Sequence, residues 1–138
     1  MDADILRIID ANLNRSREGL RVCEDIARFA LDSKALTEEL KKVRHSISNI
    51  AKNLSLELKG LSSARNSEGD ILRHSRFESE MKRQGLSDIF AANIERVKES
   101  LRVLEEIFKL ISIKSSSKFC SLRFKVYAIE KKALGKIK

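Results

Sequence analysis

Two short runs carry the same polar residues at the same spacing. Asn12, Arg15 and Glu18 lie in ANLNRSREGLRVCEDI (11–26); Asn93, Arg96 and Glu99 lie in ANIERVKESLRVLEEI (92–107). An N-x-x-R-x-x-E spacing keeps all three on one side of a helix, which turns about 100° per residue. A wheel at that angle gathers Ile5, Ile8, Ile9, Leu13, Leu20, Val22, Cys23, Ile26, Ala27, Phe29 and Ala30 into one broad apolar face. Asn12 falls near the middle of that face, Arg15 inside it and Glu18 at its edge. Asp10, Asn14, Arg17, Arg21, Glu24, Asp25 and Arg28 collect on the opposite side, which is expected to be wet. Burying a guanidinium without partners costs several kcal/mol. A chain that does so twice, at the same helical phase, is expected to gain something from it.

Two readings of that gain stay open. In the first, Glu18 pairs with Arg15 and Glu99 with Arg96, three residues apart on one helix side, and the buried network fixes how the helices pack. In the second, the arginines line a polar pocket between two long helices. Their forks suit phosphate oxygens, and the Asn12 and Asn93 amides can both donate and accept. Arg44 and Arg123 flank the apolar stripes of their own segments, and four convergent arginines would suit a polyanionic ligand. The loop SSARNSEGD (62–70) admits a similar pair of readings. It is either a solvated connection or a set of hard oxygen ligands. In the latter case Glu68 and Asp70 would hold Mg²⁺, which is usually bound by one or two carboxylates plus substrate phosphates, and Arg65 would add an anion contact. The spacing matches no calcium loop.

The elements that must position these residues are helices. The two runs share nine of sixteen residues at an offset of 81, without a gap, which indicates a duplication. TEELKKVRHSISNIAKNL follows the first copy and SSSKFCSLRFKVYAIEKKAL the second, aligning Arg44 loosely with Arg123. Helices are predicted over about 3–31, 36–59, 87–112 and 116–135, the second capped by Thr37 or Ser33 and stopped at Gly60, the third capped at Ser87 and Asp88. A loop over 61–75 and a short helix over 76–84 join the halves. Proline is absent and glycines number five, which favours long uninterrupted helices. The expected fold is all-α: one domain over 1–138, a four-helix-type bundle of two duplicated hairpins (about 3–59 and 87–135) with pseudo-twofold symmetry.

Composition excludes several classes. Of the 138 residues, 42% are hydrophobic and 35% charged, which is a globular and not a disordered balance. No window approaches the roughly 18 apolar residues of a membrane span. MDADILRIID carries acids where a signal peptide would carry bases, so a cytoplasmic protein is expected. Cys23 and Cys120 fit no CxxC pattern and are expected to be buried thiols in a reducing compartment. P-loop, GxGxxG and HExxH motifs are missing. His45 falls opposite the apolar stripe of its helix and His74 in the loop. Phe29, Phe77, Phe90, Phe108, Phe119 and Phe124 are expected in the core, and one Tyr with no Trp leaves few platforms for stacking nucleobases. The net charge of +8 is concentrated from Ser112 onward, where eight bases face one acid, Glu130. That segment is either a solvated face or an attractor of something anionic.

With these residues in hand a resemblance can be stated. RIIDANLNRSREGLRVCEDIARF, RHS, ARNSEGD, ANIERVKESLRVLEEIFKL and LRFKVYAIEK together resemble the small monofunctional hydroxymethylpyrimidine phosphate kinase family of thiamin biosynthesis, over nearly the whole chain. The two N-x-x-R-x-x-E-x-L-R-V-x-E copies carry the specificity; RHS alone does not. The family domain also occurs fused ahead of thiamin phosphate synthase, and its members sometimes carry that label. No βα repeats of the kind a (β/α)₈ barrel needs are present, so the coupling reaction is not expected. The resemblance implies ATP-dependent phosphorylation of hydroxymethylpyrimidine monophosphate to the diphosphate, with ATP and Mg²⁺. It casts Arg15, Arg96 and Arg65 as phosphate holders, Asn12 and Asn93 as substrate-orienting, Glu18 and Glu99 as supports for the forks, and Asp70 and Glu68 as metal ligands. The family's loop reads roughly A-R-D-x-x-G-D-V-G-T; here Asn66 replaces the first Asp, and Ile71, Leu72 and Arg73 replace V-G-T. Three rivals remain: a basic helical module for nucleic acid or a protein partner, a purely structural bundle, and another small helical enzyme of the chorismate-mutase type. A leftover apolar edge would allow a homodimer, and a separate thiamin phosphate synthase would be a natural partner.

Overall fold

The computed structural model describes residues 2–58, 60–75 and 82–137. Among them lie four long helices and no strand: α1 (Ala3–Asp25), α2 (Lys34–Glu57), α3 (Leu86–Phe108) and α4 (Ile113–Leu134). Side-chain oxygens start three of these by accepting a first-turn N–H: Asp2 from Asp4 at 2.9 Å, Ser33 from Leu36 at 3.3 Å and Ser112 from Ser115 at 3.2 Å. Ser33, and not Thr37, therefore caps α2. The third helix departs from expectation. It starts at Leu86, its N-cap is Gly85 with no side-chain cap, and Asp88 sits in the first turn accepting from Gln84 N. The short helix expected over 76–84 falls largely on residues outside those described; 82–85 are not helical.

Residues Ile26–Ala30 form a π-helical turn at the end of α1, with Leu31 N donating to Ile26 O at 3.0 Å. That turn shifts the phase of everything after Asp25. A 3.6-residue wheel run through it misplaces Phe29, which is exposed with Ala30 instead of buried. Asp32 follows at φ +49, a left-handed conformation aspartate tolerates, and reverses the chain into α2. Gly60 at φ +92 turns the chain after α2.

Each helix packs on two neighbours in a ring: α1 on α2 and α3, α4 on α2 and α3. Short connections make α1 with α2, and α3 with α4, antiparallel hairpins. Cys23 lies by Phe90 while Gly19 lies by Asn93 and Val97, so α1 and α3 also run in opposite directions. The core between them holds Ile9, Leu13, Leu20, Leu40, Ile47 and Leu101, with Phe108 and Phe119 in ring contact at 5.2 Å. Each such side chain contributes about 1.5–3 kcal/mol by leaving water. Phe90 joins them; Phe124 is exposed, contrary to expectation, and Phe77 lies outside the described residues.

Matched positions of the two copies make matched bonds. Asn12 donates to Ile8 O and Asn93 to Ile89 O, each at 2.8 Å. Glu24 of α1 pairs with Arg44 of α2, and Glu105 of α3 with Arg123 of α4. No helix among the described residues is long and apolar enough to cross a membrane.

Candidate functional site

The loop after α2 folds back onto α1 because Asp10 captures Arg65. Asp10, nearly buried and on the side of α1 expected to be wet, accepts from Arg65 Nε at 2.7 Å and Nη2 at 2.8 Å. This two-pronged, charge-assisted pair is the strong kind. It pushes the Arg65 pKa further up, through the bond itself and then the Asp10 charge. Asn66 and Asp70 shape the rest of the loop by accepting from Gly69 N at 2.8 Å and Leu72 N at 3.0 Å. A Cβ at Gly69 would stand 2.3 Å from the Asn66 amide nitrogen, so a larger residue there would make the exposed Asn66 side chain shift. The result is a cleft of about 480 Å³ between the first half of α1 and the loop, lined by Arg7, Arg15, Arg65, Asp4, Asp10 and Asp70 among others, with Asn12 in its wall.

A second cleft, of about 310 Å³, opens where α1 crosses α3 and is lined by Asn12, Arg15, Arg96, Glu99, Ser100 and Val103. The helices come this close because Gly19 has no side chain. A Cβ there would meet Val97 Cγ2 at 2.8 Å and Asn93 O at 3.0 Å. Asn12 and Arg15 belong to both clefts. Arg15 and Arg96 are both exposed, which corrects the expectation from the helical wheel, although both line the cleft at the crossing. Neither forms a hydrogen bond or ion pair with any described residue, so the expected pairs with Glu18 and Glu99 are not made. Two exposed guanidinium forks on facing helices, neither paired with an acid among the described residues, suit an anionic ligand.

The structure therefore brings together Arg15, Arg96, Arg65, Asn12, Glu99 and Asp70. Other expected residues stand apart. Arg44 and Arg123 do not turn into a common pocket, because Glu24 and Glu105 take their forks. The pairing with Glu24 raises the Arg44 pKa. Asn93 is tied to its own helix and lines neither cleft. Glu18 lines a separate shallow cleft with Arg17, Arg21 and Arg44. Glu68 is exposed and outside both clefts, and His45 and His74 are exposed as well. Among the described residues no group of three or more His, Cys, Asp or Glu could hold a metal ion. Sequence reasoning missed Asp10, Arg7 and Asp4. A signal for Asp10 existed: the matched position in the second copy is Ala91, so the copies differ where the first helix takes on the loop.

The geometry defines a class first: an all-helical bundle with two polar clefts on α1, one against the loop after α2 and lined by arginines and aspartates, the other at the crossing with α3. The chain belongs to the ThiD2 family, whose model matches residues 7–132. It is similar to proteins named thiamine-phosphate synthase: 40% identical over 131 residues to that of a Synechocystis species, and 37% over 131 residues to that of Nostoc punctiforme. A Rhodopirellula baltica protein of the same name is 38% identical over 125 residues. These alignments take in 95%, 95% and 90% of this chain and 36%, 36% and 32% of the relatives, so the chain spans about a third of their length. No solved structure matches it. Family and relatives associate the chain with thiamin biosynthesis.

Proposed function

We propose that this helical unit is an ATP-dependent kinase that converts hydroxymethylpyrimidine monophosphate to the diphosphate in thiamin biosynthesis. The observation that carries the reading is Arg15, unpartnered among the described residues and shared by two clefts, with Arg96 across the helix crossing and Arg65 held over the loop side. Transfer between two phosphates is mostly positioning and charge neutralisation. The acceptor is an already ionised phosphate oxygen, so no strong protein base is required. It forms a bond to the γ-phosphorus as the bond to the β,γ-bridging oxygen breaks, and ADP leaves with the electron pair. Arg15, Arg65 and Arg96 would hold the phosphates, and Asn12 would orient a substrate group.

Mg²⁺ would enter with the nucleotide and neutralise phosphate charge. Asp70 and Asp4 line the larger cleft and supply the one or two carboxylates such a site needs, while Asp10 is committed to Arg65. Glu68, outside the cleft, is the weaker of the two acids expected as ligands. The relatives' names describe a coupling reaction. Among the described residues no strand exists from which a (β/α)₈ barrel could be built, so that step is assigned to the remainder of the relatives or to a partner synthase. A nucleic-acid module is disfavoured because part of the basic segment is spent internally: Arg123 on Glu105 and Lys132 on Glu39.

The test is direct. The protein is incubated with ATP, Mg²⁺ and hydroxymethylpyrimidine monophosphate, and the products are separated by ion exchange. Stoichiometric diphosphate and ADP are expected; a folded protein that makes neither is not this kinase.

A further inference from the structure

We infer that the two clefts are two substrate subsites: the loop-side cleft takes the nucleoside triphosphate, and the cleft at the α1–α3 crossing takes the aminopyrimidine phosphate. The inference rests on the kinase reading and adds to it which side holds which substrate.

Size is the first argument. The loop-side cleft is about 480 Å³ and the crossing cleft about 310 Å³, and the nucleotide is much the larger ligand. Charge is the second. The larger cleft has Arg7 and Arg15 on α1 and, on the loop, Arg65, whose Nε and Nη2 are held by Asp10 and whose half-exposed fork leaves Nη1 for a phosphate, against the single free-standing pair of the smaller cleft. It also has the carboxylates that a nucleotide-borne cation needs, whereas the crossing cleft has one acid, Glu99. Chemistry of the small cleft is the third. Arg15 and Arg96 suffice for a single phosphate. Glu99 can only accept hydrogen bonds when ionised, which suits the exocyclic amine of an aminopyrimidine, and Val103 offers an apolar contact for its ring.

Topology is the last. Transfer requires donor and acceptor phosphates to meet at about 3–3.5 Å between reacting atoms. The residues common to both clefts are Asn12 and Arg15. The two phosphates therefore meet at Arg15, the fork that no acid among the described residues occupies. Arg15 is then the group that faces the transferring phosphoryl, while Arg65 and Arg96 each hold one substrate.

Steady-state kinetics separate these roles. Arg96→Ala is expected to raise KM for the pyrimidine phosphate at least about tenfold and leave that for ATP within about twofold. Arg65→Ala is expected to do the reverse, with Arg65→Lys as the companion that keeps a cation beside Asp10 should the alanine variant lose its fold. Arg15→Lys keeps the charge and loses the fork. It is expected to lower kcat about a hundredfold with both KM values within about threefold. Calorimetric titration with Mg²⁺ and a non-hydrolysable ATP analogue should give the same division without turnover. An active wild-type protein in which Arg65→Ala and Arg96→Ala raise the same KM, or exchange roles, would overturn the division alone. Wild-type protein with neither turnover nor binding would overturn the kinase reading and the division together.

Discussion

Asp10 is a buried carboxylate whose partner comes from 55 residues away, and that makes it the residue that converts a loop into a wall. Without it Arg65, half exposed on a loop, would have no fixed direction. Its removal is informative only if the shape is kept, so Asp10→Asn is the useful change. The amide still fits but can offer one acceptor and no charge to the fork. Bonds to charged groups contribute roughly 1.5–3 kcal/mol, and the half-exposed partner puts this one at or below the lower end. Urea unfolding is expected to show a loss of about 1 kcal/mol. Since Asp10 acts through Arg65, the kinetic effect should fall on KM for ATP, rising several-fold, with kcat nearly unchanged. A purely structural residue would not divide the two constants in that way. A fall in KM for ATP would mean that the carboxylate repels the nucleotide and that Arg65 is not being held for it.

At the scale of elements, the α1–α3 crossing decides whether the two clefts share a boundary. Gly19 is the contact point, matched in the second copy by buried Ser100. Gly19→Ala should gain about 1 kcal/mol in helix propensity. Against that, its Cβ would press on the branched Val97, which has little rotamer freedom in a helix, and on the backbone oxygen of Asn93. Overpacking of this kind costs about 1–3 kcal/mol. The expected net result is a lower thermal midpoint and a kcat/KM reduced about tenfold, because Arg15 and Arg96 sit within a turn of the contact. A variant as stable as the parent would mean that the crossing is not tight. The same element scale explains what could be read from sequence. Four helices, their hairpin connections and most of the core follow from periodicity and caps, because those are local properties. Asp10 and Glu24 were misplaced by the wheel because each long helix meets two neighbours, so its polar side is covered by the loop or by α2. Phe29 was misplaced because a π-helical turn has no sequence signature of its own. Arg15 was read correctly as unusual and wrongly as buried, since a wheel gives direction and not the length of a guanidinium stem.

For the whole molecule, Cys23 reports whether the bundle opens as one unit. Its thiol is fully buried, its Sγ 3.8 Å from the Phe90 carbonyl across the α1–α3 interface, whereas Cys120 is partly exposed; both are free. Burial, and after it the negative charge of Glu130, pushes the Cys23 pKa from an ordinary 9.0 up to about 12. Because the raised value belongs to the folded state, the unfolded chain gives up this proton first. The neutral thiol therefore favours the fold fully below about pH 9, and that contribution is lost as pH climbs through about 12. The slope across that window is on the order of 1.4 kcal/mol per pH unit for one group. Cys23→Ala is expected to lack this part of the alkaline decline in stability, as read by urea unfolding at several pH values. At pH 8 an aromatic disulfide reagent should titrate one thiol quickly, Cys120. The second should react only at the rate at which α1 separates from α3, accelerating with urea in parallel with loss of helical circular dichroism. Two equally fast thiols in the native protein would show that α1 and α3 part without global unfolding, and the boundary between the two clefts would then not be rigid enough to hold Arg15 at their junction.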